Sequence, residues 1–200
     1  MRIIAGRWRS RALEAPAGLA TRPTSDRLRE TLFNVLTARM EGARFLDLYA
    51  GSGAVGLEAL SRGAREAVLV EREAAALKVL RANVARLGAG AECRIHASGV
   101  GTFLRRGREA AGRNGTGFDV VFLDPPYDAA DEYASTLGLL GGAAMGVLAE
   151  GAVVIAEHRK KEKLEECYAR LERTRLLTQG DAALSFYRLG DEETGAGAGD

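Results

Sequence analysis

Between Arg44 and His158 the chain offers five short apolar runs, "RFLDLYA", "EAVLVER", "ECRIHAS", "FDVVFLD" and "GAVVIAEH", separated by stretches with helical spacing. Runs of that length, bounded by glycine and polar residues, read as buried strands, and the stretches between them as amphipathic helices. Repeated strand–helix units predict an α/β domain with a mainly parallel sheet covered on both faces. Such a sheet binds ligands beyond the carboxyl ends of its strands, where the strand order reverses. The residues just after each strand are therefore where chemistry is expected.

The flanks extend this pattern. "TRPTSDRLRETLFNVLTARM" has Pro23 near its start, Ser25 or Asp26 as a cap, and Leu28, Leu32, Val35 and Leu36 at helical spacing. Before it, "MRIIAGRWRSRALEAP" alternates apolar and basic residues around Gly6, which predicts a short exposed hairpin. After the fifth strand, "KKEKLEECYARL" is expected as a helix. Two closing strands around Gln179–Asp181 are joined by so short a turn that they must be antiparallel to each other. The divisions expected are a hairpin extension over 1–20, the main domain over 21–190, and an acidic, disordered tail over 191–200.

Composition narrows the class. The chain has 200 residues, 46% apolar and 28% charged, as in a soluble globular domain. No apolar run approaches the roughly 18–20 residues of a membrane span, and the N-terminus lacks the apolar core of a signal peptide, so a cytoplasmic location is expected. Cys93 and Cys167 sit in apolar-patterned segments and read as small core residues. His96 and His158 have no neighbouring ligand partners, and no metal site is expected. Met1 to Glu30 holds seven Arg against three acids, while the last ten residues hold four acids and no base. The basic end suits a polyanion.

"DLYAGSGAVGLEAL" places Gly51, Gly53 and Gly56 in G-x-G-x-x-G spacing, after a strand and opening a helix. Such glycines let the backbone turn tightly and approach a ligand. Glu71 ends the next strand, where a carboxylate can bond both hydroxyls of a ribose. The pattern fits an NAD-dependent oxidoreductase or a methyltransferase using S-adenosylmethionine. Asp47, four residues before the first glycine, favours the second. A carboxylate there can receive an ammonium, whereas a pyrophosphate gains nothing from it.

"VVFLDPPYD" ends the fourth strand in an acid followed by two prolines, which cannot continue a ladder. An exocyclic amine of a nucleobase is a poor nucleophile because its lone pair is delocalised. Two fixed acceptors, the Asp124 carboxylate and the Pro125 carbonyl, can take its hydrogens and aim the lone pair at a methyl group. Tyr127 offers a flat face for stacking the base. No strong base is required; the rate gain would come from alignment and preset acceptors. A paired base cannot reach such a pocket, so the nucleotide must be flipped out or already unpaired.

These motifs carry a resemblance. "DPPY" resembles the signature of amino-methyltransferases acting on nucleic-acid bases. With "RPTSDRLRETLFN", "LDLYAGSGAVGLEALSRGA" and "GDAALSFYR" in this order, the chain resembles the RsmD family of bacterial 16S ribosomal RNA guanine-N2 methyltransferases over about Arg2 to Arg188. The resemblance implies a Rossmann-like methyltransferase fold with a seven-stranded sheet, one strand antiparallel. It implies S-adenosylmethionine held by Asp47, Ala50, Gly51, Ser52, Gly53, Glu71, Arg72, Ser98, Gly99 and Asp124, with Asp124, Pro125 and Tyr127 catalytic. The hairpin it implies as an aid to RNA binding makes Arg7, Trp8, Arg9 and Arg11 candidate RNA contacts, and Arg22, Thr24 and Arg27, in the family's motif before the first strand, are candidates for the cofactor's methionine end or the RNA path. The implied substrate is 16S RNA in partly assembled 30S subunits; separately, a monomer is expected. Gly99 departs from the family's usual Asp or Asn for the adenine amino group, leaving Ser98 or backbone to hold that ring. The rivals are an adenine-N6 or cytosine-N4 DNA methyltransferase, the oxidoreductase, and a non-catalytic RNA-binding module.

Overall fold

The computed structural model describes residues 1–15, 25–107, 116–126 and 130–190. Among these, the five apolar runs form β1 (Arg44–Asp47), β2 (Glu66–Glu71), β3 (Cys93–Ala97), β4 (Phe118–Leu123) and β5 (Leu148–Arg159). Helices α1 (Asp26–Met40), α2 (Ala54–Ser61), α3 (Ala74–Leu87), α4 (Val100–Arg105) and α5 (Ala130–Gly141) surround them. Three further strands, β6 (Cys167–Tyr168), β7 (Leu171–Gln179) and β8 (Ala182–Leu189), complete one sheet of order β3-β2-β1-β4-β5-β8-β7-β6. β1 through β5 pair in parallel, and β8 inserts antiparallel between β5 and β7.

Period-two alternation along the strands divides the core. Phe45, Leu69, Val120, Phe122 and Ile155 pack under α1, α2 and α3. Leu46, Val68, Val121, Leu123 and Val154 pack under α4 and α5. Burial on both faces explains why these strands read as continuous apolar runs. Ser25 caps α1 by accepting the Leu28 N–H, and Gly88, at φ 69°, closes α3 in the left-handed conformation.

The sheet has eight strands where seven were expected, because the segment expected as a helix after β5 is not one. Chain order explains it. β7 runs parallel to β5 with β8 between them: Arg159 pairs with Ala182, whose other partner is Gln179, and β7 begins at the far end, with Leu171 opposite Leu189. The connection must run back along the nine residues of β7, about 30 Å at roughly 3.3 Å per residue. A helix over "KKEKLEECYARL" would span only about 18 Å at 1.5 Å per residue. The segment is extended instead, and its apolar residues at helical spacing, Leu164, Tyr168 and Leu171, pack against the second core cluster. Tyr187 Oη donates to the Glu165 carbonyl, and the Arg173 guanidinium to that of Leu164. As a result Cys167 is exposed on the short edge strand β6 rather than in the core, whereas Cys93 is buried.

The N-terminal segment is docked rather than projecting. Its antiparallel pairing is a single bridge between Arg2 and Ala12, and Ile3 and Leu13 are buried in the first cluster. The buried Glu58 carboxylate of α2 accepts the N–H groups of Ile4 (2.7 Å) and Ala5 (3.0 Å) and the Arg62 Nε–H (2.7 Å). Ser61 adds a backbone bond to Arg7 and a hydroxyl bond to Trp8.

Candidate active site

A cavity of about 540 Å³ opens at the carboxyl edge of β1, β2 and β4. Asp47, Ala50, Gly51, Ser52, Glu71, Arg72, Ser98, Gly99, Asp124 and Pro125 all line it. Sequence motifs about 75 residues apart thus meet at one point, because β1 lies between β2 and β4.

The glycine turn forms one wall. Gly51 adopts φ 54° with open space at its Cβ position, so the backbone is bare toward the cavity. Gly53 does not line the cavity; it is the N-cap of α2 at φ 81°, and a Cβ there would run into Leu80 Cδ1. Gly56 lets α2 lie close on β2, since a Cβ would meet Leu69 Cδ2. Glu71 ties the turn to the end of β2. It accepts the Gly51 N–H at 2.8 Å on one oxygen, and the N–H groups of Arg72 (2.7 Å) and Glu73 (2.8 Å) on the other. The Arg72 guanidinium pairs with Glu73 at 3.4 Å and with Glu132 at 3.8 Å.

Carboxylates form the floor. Alternation puts Asp47 on the face shared by Phe45, and Asp124 and Glu157 on the same face as Phe122 and Ile155. Asp47 is 1% exposed and accepts the Gly56 N–H at 3.3 Å. Burial, helped by the charges of Glu71 and Glu157, pushes its carboxyl up to about 7. Burial likewise holds the Asp124 carboxyl well above the usual range, with Glu157, Asp47 and Glu162 adding to the effect. Pro125 is buried and Pro126 exposed, so the chain leaves the sheet here.

The rim carries polar groups that sequence reasoning missed. Tyr49 Oη donates to Glu132 (2.8 Å) and lies 2.9 Å from Thr136 Oγ1, joining β1 to α5. Burial raises its phenol, and the bonded Glu132 carboxylate adds to this. Met1 and Ala15 also line the cavity, and Ser52 Oγ donates to Met1 Sδ at 3.3 Å. Fully buried Asn83 links these parts. Its Nδ2 donates to the carbonyls of Ser52 (2.9 Å) and Glu14 (3.0 Å), and its Oδ1 accepts the Glu14 N–H at 2.8 Å. The available signal was a polar residue on the apolar stripe of α3, between Leu80 and Leu87.

Ser98 Oγ is buried against the cavity and has no hydrogen-bond partner among the described residues. A buried hydroxyl left unpaired costs about 1–3 kcal/mol, so a ligand atom at that point gains affinity by satisfying it. At Gly99, the N-cap of α4, the space where a Cβ would stand is open.

Of the expected RNA-facing residues, Arg9, Arg11 and Arg27 are exposed. Arg7 ion-pairs with Glu92 and stacks 4.0 Å above the Trp8 ring, and half-buried Trp8 packs against the core. Arg22, Thr24 and Tyr127 lie outside the described residues, as does the 191–200 tail.

A doubly wound sheet with an antiparallel strand next to β5, a glycine turn after β1 and an acid–proline–proline corner after β4 defines the methyltransferase class of α/β domains. Residues 1–188 match the family described as Conserved hypothetical protein 95. The chain is 38% identical over 188 residues to ribosomal RNA small subunit methyltransferase D of Escherichia coli K12, covering 94% of this chain and 89% of that one. It is 37% identical to the putative rRNA methyltransferase YlbH of Bacillus subtilis, covering 94% and 98%. Among solved structures, the putative methyltransferase yhhF from Escherichia coli superposes with a TM-score of 0.79 at 37% identity, covering 94% of this chain and 97% of that one. The chain belongs to this family, the RsmD family that its motifs resemble.

Proposed function

We propose that the protein transfers a methyl group from S-adenosylmethionine to the exocyclic N2 of a guanine in 16S ribosomal RNA of the small subunit. The observation that carries this is the convergence of Asp124 and Pro125 with Gly51, Ser52 and Glu71 on one cavity.

The residues present fit this cofactor. Asp47 is a buried carboxylate whose charged form lacks a cation among the described residues facing it, which suits the ammonium of a methionine moiety. Glu71 lines the cavity and keeps one acceptor site, on the oxygen that takes the Gly51 N–H, for a ribose hydroxyl, and the unpaired Ser98 hydroxyl on the same cavity is available to an adenine edge. Asp47 and Asp124 together favour a cationic ligand over a dinucleotide with its pyrophosphate. When bound, the cofactor supplies an electrophilic methyl on a sulfonium centre.

The protein's own part is alignment. The ionised Asp124 carboxylate accepts one N–H of the amine and the Pro125 carbonyl accepts the other, and Pro126 fixes that carbonyl because its ring limits the backbone. The nitrogen lone pair then points into the cavity. Burial and the charges of Glu157, Asp47 and Glu162 hold the Asp124 carboxyl high, so a bound cation is what favours its ionised, accepting form. The same raised carboxyl is suited to receive the proton that the methylated nitrogen sheds. Met1 and Ala15 bring the ends of the basic N-terminal segment to the pocket, while its tip, bonded through Arg7 and Trp8 to Ser61 at the far end of α2, leaves Arg9 and Arg11 exposed for phosphates of RNA that extends away from the pocket.

The relatives named for ribosomal RNA favour RNA over DNA as substrate. The test is incubation with labelled S-adenosylmethionine and small subunits lacking the modification, followed by nucleoside mass analysis. N2-methylguanosine in 16S RNA supports the assignment. Label confined to DNA, to protein, or to adenine or cytosine defeats it.

A further inference from the structure

We propose that the turn from Arg159 to Lys163 is a phosphate-binding surface, holding the RNA on the side of the pocket opposite Met1 and Ala15. The proposal rests on the RNA-methyltransferase reading above and adds a contact surface to it.

The first observation is compositional. The chain has only four lysines among its 28 basic residues, and three of them, Lys160, Lys161 and Lys163, fall in this turn. All three are exposed, and none has an ion pair among the described residues. Of the nearby acids two are engaged, while Glu165 and Asp181 are exposed. Glu162 accepts the Arg159 N–H at 3.1 Å, and Glu166 pairs with Arg173 at 3.1 Å.

The second observation is position. Leu123 pairs with Ala156, the last pair of the β4–β5 ladder, so Glu157 follows where Asp124 begins to leave the sheet. Parallel neighbours lie about 4.8 Å apart. The turn therefore begins two residues beyond Glu157 on the β5 side of Asp124, although none of its residues lines the cavity itself. Met1, bonded to Ser52, and Ala15 line the cavity beside the glycine turn that follows β1, so the ends of the N-terminal segment border the side away from β5, with β4 and Asp124 between. A nucleotide extruded into the pocket keeps a phosphate on each side of its sugar. Cations on one flank alone would fix only one of them.

The third observation is rigidity. Lys160 N donates to the Asp181 carbonyl at 2.8 Å, and Glu162 N to the Arg159 carbonyl at 2.9 Å. The turn is anchored to the β7–β8 hairpin, so the ammonium groups project from a fixed backbone, and less ordering entropy is lost on binding.

The test is a triple variant, Lys160→Gln, Lys161→Gln and Lys163→Gln, compared with the wild-type chain on small subunits lacking the modification. Affinity is measured from roughly 50 to 300 mM salt. Each lost phosphate contact lowers the slope of log K against log salt by about 0.7 on single-stranded RNA, so the variant's slope should be shallower by about 2. Affinity near 0.1 M salt should fall roughly 10- to 100-fold. S-adenosylhomocysteine affinity without RNA should not change. An unchanged salt slope and unchanged subunit affinity overturn the proposal. Failure of the wild-type chain to methylate 16S RNA overturns the underlying reading and this proposal with it, and the two failures are told apart by the wild-type lane alone.

Discussion

Replacing Asp47 with Asn should make the cofactor-free protein more stable at alkaline pH while impairing cofactor binding. The Asp47 carboxyl is 1% exposed, and burial moves it from an ordinary 3.8 to about 7. In the unfolded chain the group loses its proton near 3.8; in the folded chain it keeps it to about 7. Between those values the folded state binds more protons, so stability falls as pH rises, and the full cost is present above 7. At about 1.36 kcal/mol per pH unit, that cost is about 4 kcal/mol. The amide of Asn is neutral throughout and can still accept the Gly56 N–H through its oxygen. Part of the gain is lost where its NH2 finds no acceptor, leaving about 2–4 kcal/mol at pH 8 and little at pH 4. For a domain of this size that is roughly 4–16 °C in Tm. Urea denaturation of both proteins from pH 4 to 9 reads it directly. The difference should grow with pH and level off above 7, with S-adenosylmethionine affinity lowered in the variant. A variant less stable than wild type at pH 8, or one with the same pH dependence, would refute the argument that Asp47 is a buried charge awaiting a cation.

Two other substitutions follow from the packing around the turn. Asn83→Ala strands the carbonyl of Ser52 and both backbone groups of Glu14; it should cost about 2–4 kcal/mol by denaturant titration and weaken S-adenosylhomocysteine binding by calorimetry roughly tenfold or more. Gly53→Ala combines a residue at φ 81° with a collision at Leu80 and should cost about 2–4 kcal/mol; a change below about 0.5 kcal/mol would mean that the turn relaxes freely.

The parts of the fold legible in the sequence were those fixed by local pattern. The inner parallel strands announced themselves because burial on both faces favours continuous apolar runs, as in "VLV" and "VVFL", whereas the edge strand β3 carries Arg94 and His96. The pocket was legible because short motifs carry it, and strand order alone brings Asp47, Glu71 and Asp124 together. The segment after β5 was misread because Leu164, Tyr168 and Leu171 have helical spacing, while the need to travel the length of β7 is a property of the sheet and leaves no local mark. The roles of Met1, Glu58 and Asn83 were hidden for a related reason. Each joins the N-terminal segment to elements 50 or more residues away.

Methyl transfer depends on Asp124 acting on the target amine rather than supporting the fold or the cofactor. The direct measurement is single-turnover methyl transfer to small subunits by Asp124→Asn, alongside calorimetry with S-adenosylhomocysteine. The transfer rate should fall by at least 10²-fold, while affinity stays within about tenfold of wild type. Transfer at the wild-type rate would contradict the account.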